Sequence, residues 1–318
     1  MASEPVRMAL VGAGRMGSIH LEALRASREI ELVGVVEPFH ATRSRVAMSG
    51  VLTYAGVDEL LAQDPPPEAV LIAATSTEHP SLVARFAAAG IHMLCEKPVG
   101  VKPDQARAAA RSAQEAGVLL QVGYWRRFVP ELRELRERIS SGGLGKISQL
   151  SCLQWDHELP SEQFRSQSGG ITVDMGVHEF DQTRWLLGQE FEWVVATAAG
   201  PSSEPRHGAD PDCAVLLADL SDGTAATISL GRRFPHEDSC WLEVWGTEGY
   251  ARVPFMWDAA GDEVFRSAMQ RQAEAFARAV RGAECEGAQG PDAVAALTVA
   301  ALAARSLAAA GQRVPEAL

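Results

Sequence analysis

The chain has 318 residues, a formal net charge of −12 and a hydrophobic fraction of 47%. That length suits two cores better than one, and the acidic balance argues against nucleic acid or an anionic membrane surface as the main partner. The opening Met1-Ala2-Ser3-Glu4-Pro5 lacks the apolar core of a signal peptide and no apolar run reads as membrane-spanning; five scattered cysteines without a Cys-x-x-Cys pair fit reduced thiols, so a cytoplasmic protein is expected.

The first apolar run, Met8–Val11, leads into Gly12-Ala13-Gly14-Arg15-Met16-Gly17, which opens an amphipathic stretch over Arg15–Ala26. Strand, glycine turn and helix in this order are what a dinucleotide-binding fold requires: Gly12 for a tight turn, Gly14 for close approach of the pyrophosphate, Gly17 for packing of helix on strand. A second run, Ile30–Val36, ends in an acid, Glu37, about 20 residues past the last glycine. A carboxylate there accepts from both adenosine ribose hydroxyls and repels a 2′-phosphate, so NAD is favoured over NADP. Arg43 and Arg45, just downstream, keep NADP as the alternative.

Further strand-like runs at Ala69–Ala73, His92–Cys95 and Leu119–Val122 alternate with helical patterns at Val57–Ala62, Pro80–Ala89 and Pro103–Ala116. This alternation implies a parallel sheet covered by helices, with ligands beyond the carboxyl ends of its strands. Ala74, Thr75, Ser76 and His79 follow one such end and are candidates for cofactor contact; for Thr75 and Ser76 the alternative is helix capping. Cys95-Glu96-Lys97-Pro98 follows the next. Lys97 there suits a hold on a substrate hydroxyl or a developing alkoxide, or simply a surface pair with Glu96. The boundary is expected after Val122, giving a dinucleotide-binding domain over 1–122 and a second domain over 123–318, entered through Tyr124-Trp125-Arg126-Arg127-Phe128.

Beyond a charged helix at Pro130–Ser141, strand-like runs at Ile147–Trp155, Phe191–Ala199, Cys213–Leu220, Thr224–Leu230 and Trp241–Val244 point to an open, largely antiparallel sheet. Asp222-Gly223 marks a hairpin tip and Gly200–Pro211 a surface loop. Phe265–Arg281 and Asp292–Ala310 are Ala-rich helical patterns. Between the runs Ile147–Trp155 and Phe191–Ala199, Gly169-Gly170 opens a helix expected to run through Leu187, on which Asp174 and His178 stand four apart and Asp181 follows. A carboxylate beside an imidazole fixes its tautomer and raises its basicity, as a general base needs; a plain helix pair is the alternative. No second histidine at ligand spacing supports a metal, so none is expected. His157, at a strand end, is a candidate for binding hydroxyls.

Taken together, the glycine turn, Glu96-Lys97-Pro98, Gly123 through Phe128, and Gly169-Gly170 with Asp174, His178 and Asp181 resemble the Gfo/Idh/MocA oxidoreductase family, most of all its inositol 2-dehydrogenases. The resemblance covers nearly the whole chain. It implies a Rossmann domain joined to an open α/β sheet domain, and assembly through that sheet into a homodimer or homotetramer. It implies Lys97, Asp174 and His178 as the catalytic triad, contact of Arg126 and His157 with substrate or nicotinamide, and a small polyol or sugar as substrate. Other redox chemistry on sugars, aldehydes or dihydrodiols, and a sensor that binds NAD(H) without turnover, are the rival readings. Three features depart from the inositol dehydrogenase pattern: Glu37 in place of an aspartate, Trp125 in place of a smaller residue, and Phe255–Glu263 without a tyrosine-bearing wall.

Overall fold

The computed structural model describes residues 4–199, 210–256 and 261–315, and the chain divides into two compact units. Part of the expected loop at Gly200–Pro211 and part of the Phe255–Glu263 segment lie outside the described residues.

In the first unit the chain runs β1 (Val6–Val11), α1 (Arg15–Ala26), β2 (Ile30–Val36), α2 (His40–Met48), β3 (Thr53–Tyr54), α3 (Val57–Leu61), β4 (Ala69–Ile72), α4 (His79–Ala88), β5 (His92–Cys95), α5 (Pro103–Glu115) and β6 (Leu120–Val122). The strands pair in parallel in the order β3-β2-β1-β4-β5-β6, the doubly wound arrangement with its switch point between β1 and β4. Strands covered on both faces must be apolar almost throughout. Accordingly Met8, Ala9, Leu10, Val70, Leu71 and Ile72 are fully buried. Neither α2 nor β3 was expected: Val46 is the only buried residue of α2, which leaves no apolar periodicity to read.

The second unit follows a single 3₁₀ turn at Trp125–Phe128. It holds α6 (Pro130–Ser140), β7 (Ile147–Asp156), α7 (Glu162–Gln167), α8 (Ile171–Asp174), α9 (Gly176–Leu187), β8 (Phe191–Ala199), β9 (Cys213–Leu220), β10 (Ala225–Arg232), β11 (Ser239–Gly246) and β12 (Tyr250–Met256). The order β12-β11-β7-β10-β9-β8 is antiparallel except for the parallel pair β7–β10. The Asp222-Gly223 hairpin is present, with Gly223 at φ +77 and the Leu220 amide donating to the Thr224 carbonyl at 2.9 Å. One face of the sheet, including Leu150, Leu216, Ile228, Leu242 and Val244, is buried, with α9 packed on β7 and α6 on α9. The other face leaves Val215 and Leu217 of β9 45% and 51% exposed.

The chain then returns to the first unit, a step that a single cut after Val122 does not contain. Residues 266–293 belong with the Rossmann sheet. The cause is the apolar stripe of α10 (Gly261–Val280): Ala273, Phe276 and Ala277 pack into the same core as Val6, Met8, Leu10 and Leu24. After it, β13 (Ala288–Gln289) adds antiparallel to β6. A last helix, α11 (Gly290–Ala308), leads to β14 (Val314–Pro315), which pairs with β8. Contrary to the sequence reading, α11 is long and apolar enough by composition to cross a membrane. Its Ala296, Leu297, Ala300 and Ala303 are instead buried against the protein, and its Ser306 hydroxyl accepts the Ala196 amide of β8 at 2.9 Å.

Candidate active site

Gly12 stands at φ +93, in the left-handed region, and a Cβ there would lie 2.7 Å from the Ala73 carbonyl oxygen. At Gly17 a Cβ would lie 2.1 Å from the Gly12 oxygen, so helix α1 can sit this close to the turn only as glycine. A Cβ at Gly14, by contrast, would meet nothing within 4 Å. Gly14 is also the N-cap of α1, without a side-chain cap and with no acid in the first turn. The first amides of the helix are therefore left for an anion in open space, as a pyrophosphate requires. Arg15 is exposed and Met16 half-buried beside it, while Ala13 is buried.

Glu37 is buried at the end of β2, where its Oε2 accepts the Ala13 amide and its Oε1 the Phe39 amide, both at 2.9 Å. The acid thus braces the glycine turn with one oxygen and the start of α2 with the other. Each oxygen keeps a lone pair for a ribose hydroxyl. Arg43, downstream, spends its guanidinium on the carbonyls of Glu37 and Pro38 at 2.7 and 2.9 Å, which turns it away from the role of a 2′-phosphate partner. The residues present fit NAD.

After β4, Thr75 is exposed and Ser76 half-buried; α4 is capped by Glu78 without a side-chain hydrogen bond, so neither residue caps it. His79 is fully enclosed. Its Nδ1 lies 2.9 Å from the Pro98 carbonyl and its Nε2 3.0 Å from that of Ala74. It clips the loop after β4 to the loop after β5, and burial outweighs its hydrogen bonds and holds its pKa down.

Lys97 follows β5, half-buried, its backbone amide donating to Glu96 Oε2 at 3.1 Å. The other oxygen of Glu96 meets His20 Nε2 of α1 at 2.6 Å, both residues buried. Burial pushes the Glu96 carboxyl up; the His20 hydrogen bond and charge, with Lys97 and His79, pull harder, so it lies below the usual carboxylate range. Glu96 is thus a buried brace toward α1. His20 was not anticipated, although its spacing with Gly17 and Leu24 marks the buried face of α1.

In the second unit Asp174 and His178 do not share an unbroken helix. Asp174 ends α8, Met175 separates it from α9, and the His178 amide bonds to the Met175 carbonyl three residues back instead of continuing the i−4 ladder. His178 is buried and Asp174 half-buried. The Asp174 Oδ2 accepts from Arg232 Nη2 at 3.1 Å, a partner the sequence did not suggest because Arg232-Arg233 reads as the polar end of a strand. Asp181 is a bidentate partner of Arg127, at 2.6 and 3.0 Å.

Arg126, expected at the substrate, is 3% exposed and directed inward. Its guanidinium donates to Glu179 at 2.5 Å, Gln182 at 3.2 Å, Gln154 at 2.9 Å and the Cys240 thiol at 3.3 Å, and lies over the Phe255 ring. That makes it a brace between the start of the second unit, α9 and the sheet. His157 is exposed, its Nδ1 3.1 Å from the Phe234 carbonyl and its amide held by Asp238 at 2.7 Å.

A doubly wound domain with a pyrophosphate turn and a ribose acid, followed by a mixed α/β domain carrying a buried His178 and an Asp174 held by Arg232, defines a two-domain nicotinamide-dependent oxidoreductase. Residues 6–124 match the model of the oxidoreductase family with NAD-binding Rossmann fold, Gfo/Idh/MocA, and residues 132–252 match the Gfo/Idh/MocA C-terminal domain. The chain is 47% identical over 302 residues to the rhizopine catabolism protein MocA of Rhizobium meliloti, covering 95% of each. It is 32% identical over 322 residues to the inositol 2-dehydrogenase of Rhizobium meliloti strain 1021, covering 95% of this chain and 97% of that one. The crystal structure of a putative myo-inositol dehydrogenase from Sinorhizobium meliloti 1021 superimposes with a TM-score of 0.91 at 30% identity, over 98% of this chain and all of that one (100%). The chain belongs to the Gfo/Idh/MocA family, and its cofactor is NAD.

Proposed function

We propose that the chain is an NAD-dependent dehydrogenase acting on a secondary alcohol of an inositol-like cyclitol or a related sugar. The observation that carries this reading is the buried His178 next to a break in its helix, with Asp174 just before the break and held by a cation, in a chain so similar to an inositol 2-dehydrogenase. NAD, when bound, supplies the hydride acceptor. Gly12 through Gly17, Glu37, and the loop of Ala74, Thr75 and Ser76 hold it. His178 takes the hydroxyl proton and Asp174 orients its imidazole and offsets the charge it gains. Lys97 holds the same oxygen and stabilises negative charge on it. Arg126 serves the site indirectly, by bracing Glu179 and Gln182 on α9, the helix that carries His178.

The exposed Val215 and Leu217 of β9, with Trp155, Trp241 and Trp245 half-buried in other strands of the same sheet, support self-association through the open sheet face into a homodimer or homotetramer. Screening inositols, rhizopine and sugars for NADH formation tests the substrate class; rhizopine belongs in the screen because the similarity to MocA exceeds that to the inositol enzyme. Lys97→Ala and His178→Ala should each lower kcat on the order of 10²–10⁴-fold while NADH still binds. Near-wild-type turnover in either variant would remove that residue from the mechanism.

A further inference from the structure

Arg232 is the last residue of β10 and its side chain is 0% exposed. A buried guanidinium persists only where its charge is matched. Here it is matched twice: Nη1 donates to Asp210 Oδ2 at 2.6 Å and Nη2 to Asp174 Oδ2 at 3.1 Å. Asp210 Oδ2 is in turn shared with Arg165 Nε of α7 at 2.8 Å. Charges therefore alternate along a chain, Arg165, Asp210, Arg232, Asp174. The next residue, Arg233, has φ +68, a conformation that residues with a side chain rarely adopt. The backbone turn there divides the two arginines. Arg233 goes to Asp212 at 3.3 Å, leaving Arg232 to Asp174 and Asp210.

Asp174 needs such a partner for local reasons. It is the last residue of α8, a helix of 4 residues. One short turn followed by a break gives little hold on its side chain. A cation anchored in the sheet supplies that hold.

We propose that Arg232 is a positioning residue for the reaction: seated on Asp210, it holds the Asp174 carboxylate aligned for its work on His178. The proposal rests on the catalytic role of Asp174 set out above. Its test is a double-mutant cycle on kcat, with NADH affinity and thermal midpoint measured for every variant. Arg232→Gln should lower kcat roughly 10- to 100-fold, the scale known for outer groups that orient metal ligands, and leave NADH affinity within about twofold, since the dinucleotide turn lies in the other unit. Arg232→Lys, which keeps the charge but loses the fork, should recover part of the loss. In an Asp174→Asn background the Arg232→Gln change should cost nothing further, because the group it acts through is already gone. If Arg232→Gln does not fold, Arg232→Lys is carried through the same cycle, where its smaller loss should likewise vanish. A loss of kcat that persists undiminished in the Asp174→Asn background, or an Arg232→Gln enzyme with wild-type kcat, overturns the proposal. Asp174→Asn with wild-type kcat would instead overturn the catalytic role of Asp174, and the inference with it.

Discussion

Replacing Glu37 by Gln separates two duties of one side chain. The carboxylate accepts the Ala13 and Phe39 amides, each at 2.9 Å, and retains about two of its four acceptor positions for the adenosine ribose. Gln keeps one oxygen. Its NH₂ must face either Ala13 or Phe39, donor against donor, so one charge-assisted hydrogen bond is lost in the free protein and one ribose contact in the complex. At about 1.5–3 kcal/mol for a hydrogen bond to a charged group, the first loss lowers the thermal midpoint of the Rossmann unit by several degrees. The second raises the Kd for NAD about 10- to 150-fold. Fluorescence titration with NADH reads the affinity and calorimetry the stability. Relief of repulsion should also move the kcat/KM ratio toward NADP. A lowered melting point with an unchanged Kd would refute the reasoning: Glu37 would then be a brace for the glycine turn and no more.

His20→Leu should lower stability by about 3–5 kcal/mol, because it strips the buried Glu96 of its 2.6 Å partner; it should also lower kcat, since Glu96 holds the Lys97 amide, and wild-type values in both assays would refute that coupling. The Arg281 hydrogen bond, working against burial and aided by Arg7, holds the Glu68 carboxyl at about 2, so its contribution is present above the ordinary carboxylate pKa and is lost as pH falls from about 4.5 to about 2. Glu68 is 37% exposed and solvent screens the pair, so Glu68→Gln should cost only about 1 kcal/mol near neutral pH, by denaturant melts, and nothing at the acid end of that window. Leu217→Glu together with Val215→Glu should shift the mass measured by light scattering from a multiple of 34.0 kDa toward that value; an unchanged oligomer would place the interface elsewhere.

The dinucleotide turn was legible because its chemistry is local: φ +93 at Gly12 and the tight contact at Gly17 are demanded within six residues, and Glu37 follows at the end of the next strand. The alternation of buried apolar runs was legible for a similar reason, since a strand covered on both faces cannot hide its composition. Weakly patterned elements escaped: α2 buries one residue, and β12 lies at the sheet edge with alternating exposed positions.

What only the tertiary structure decided is which distant groups meet. Local spacing brought Asp174 and His178 near one another, but the break at Met175, the hold of Arg232 from a strand 58 residues on, and the burial of Arg126 against Glu179 come from packing of elements far apart in the chain. The return of α10 to the first core is of the same kind: the periodicity of Phe265–Arg281 announces a buried face, and nothing in it says which sheet that face will cover. Periodicity and turn chemistry are written residue by residue, whereas a charge buried far from its sequence neighbours depends on a partner that only the fold supplies.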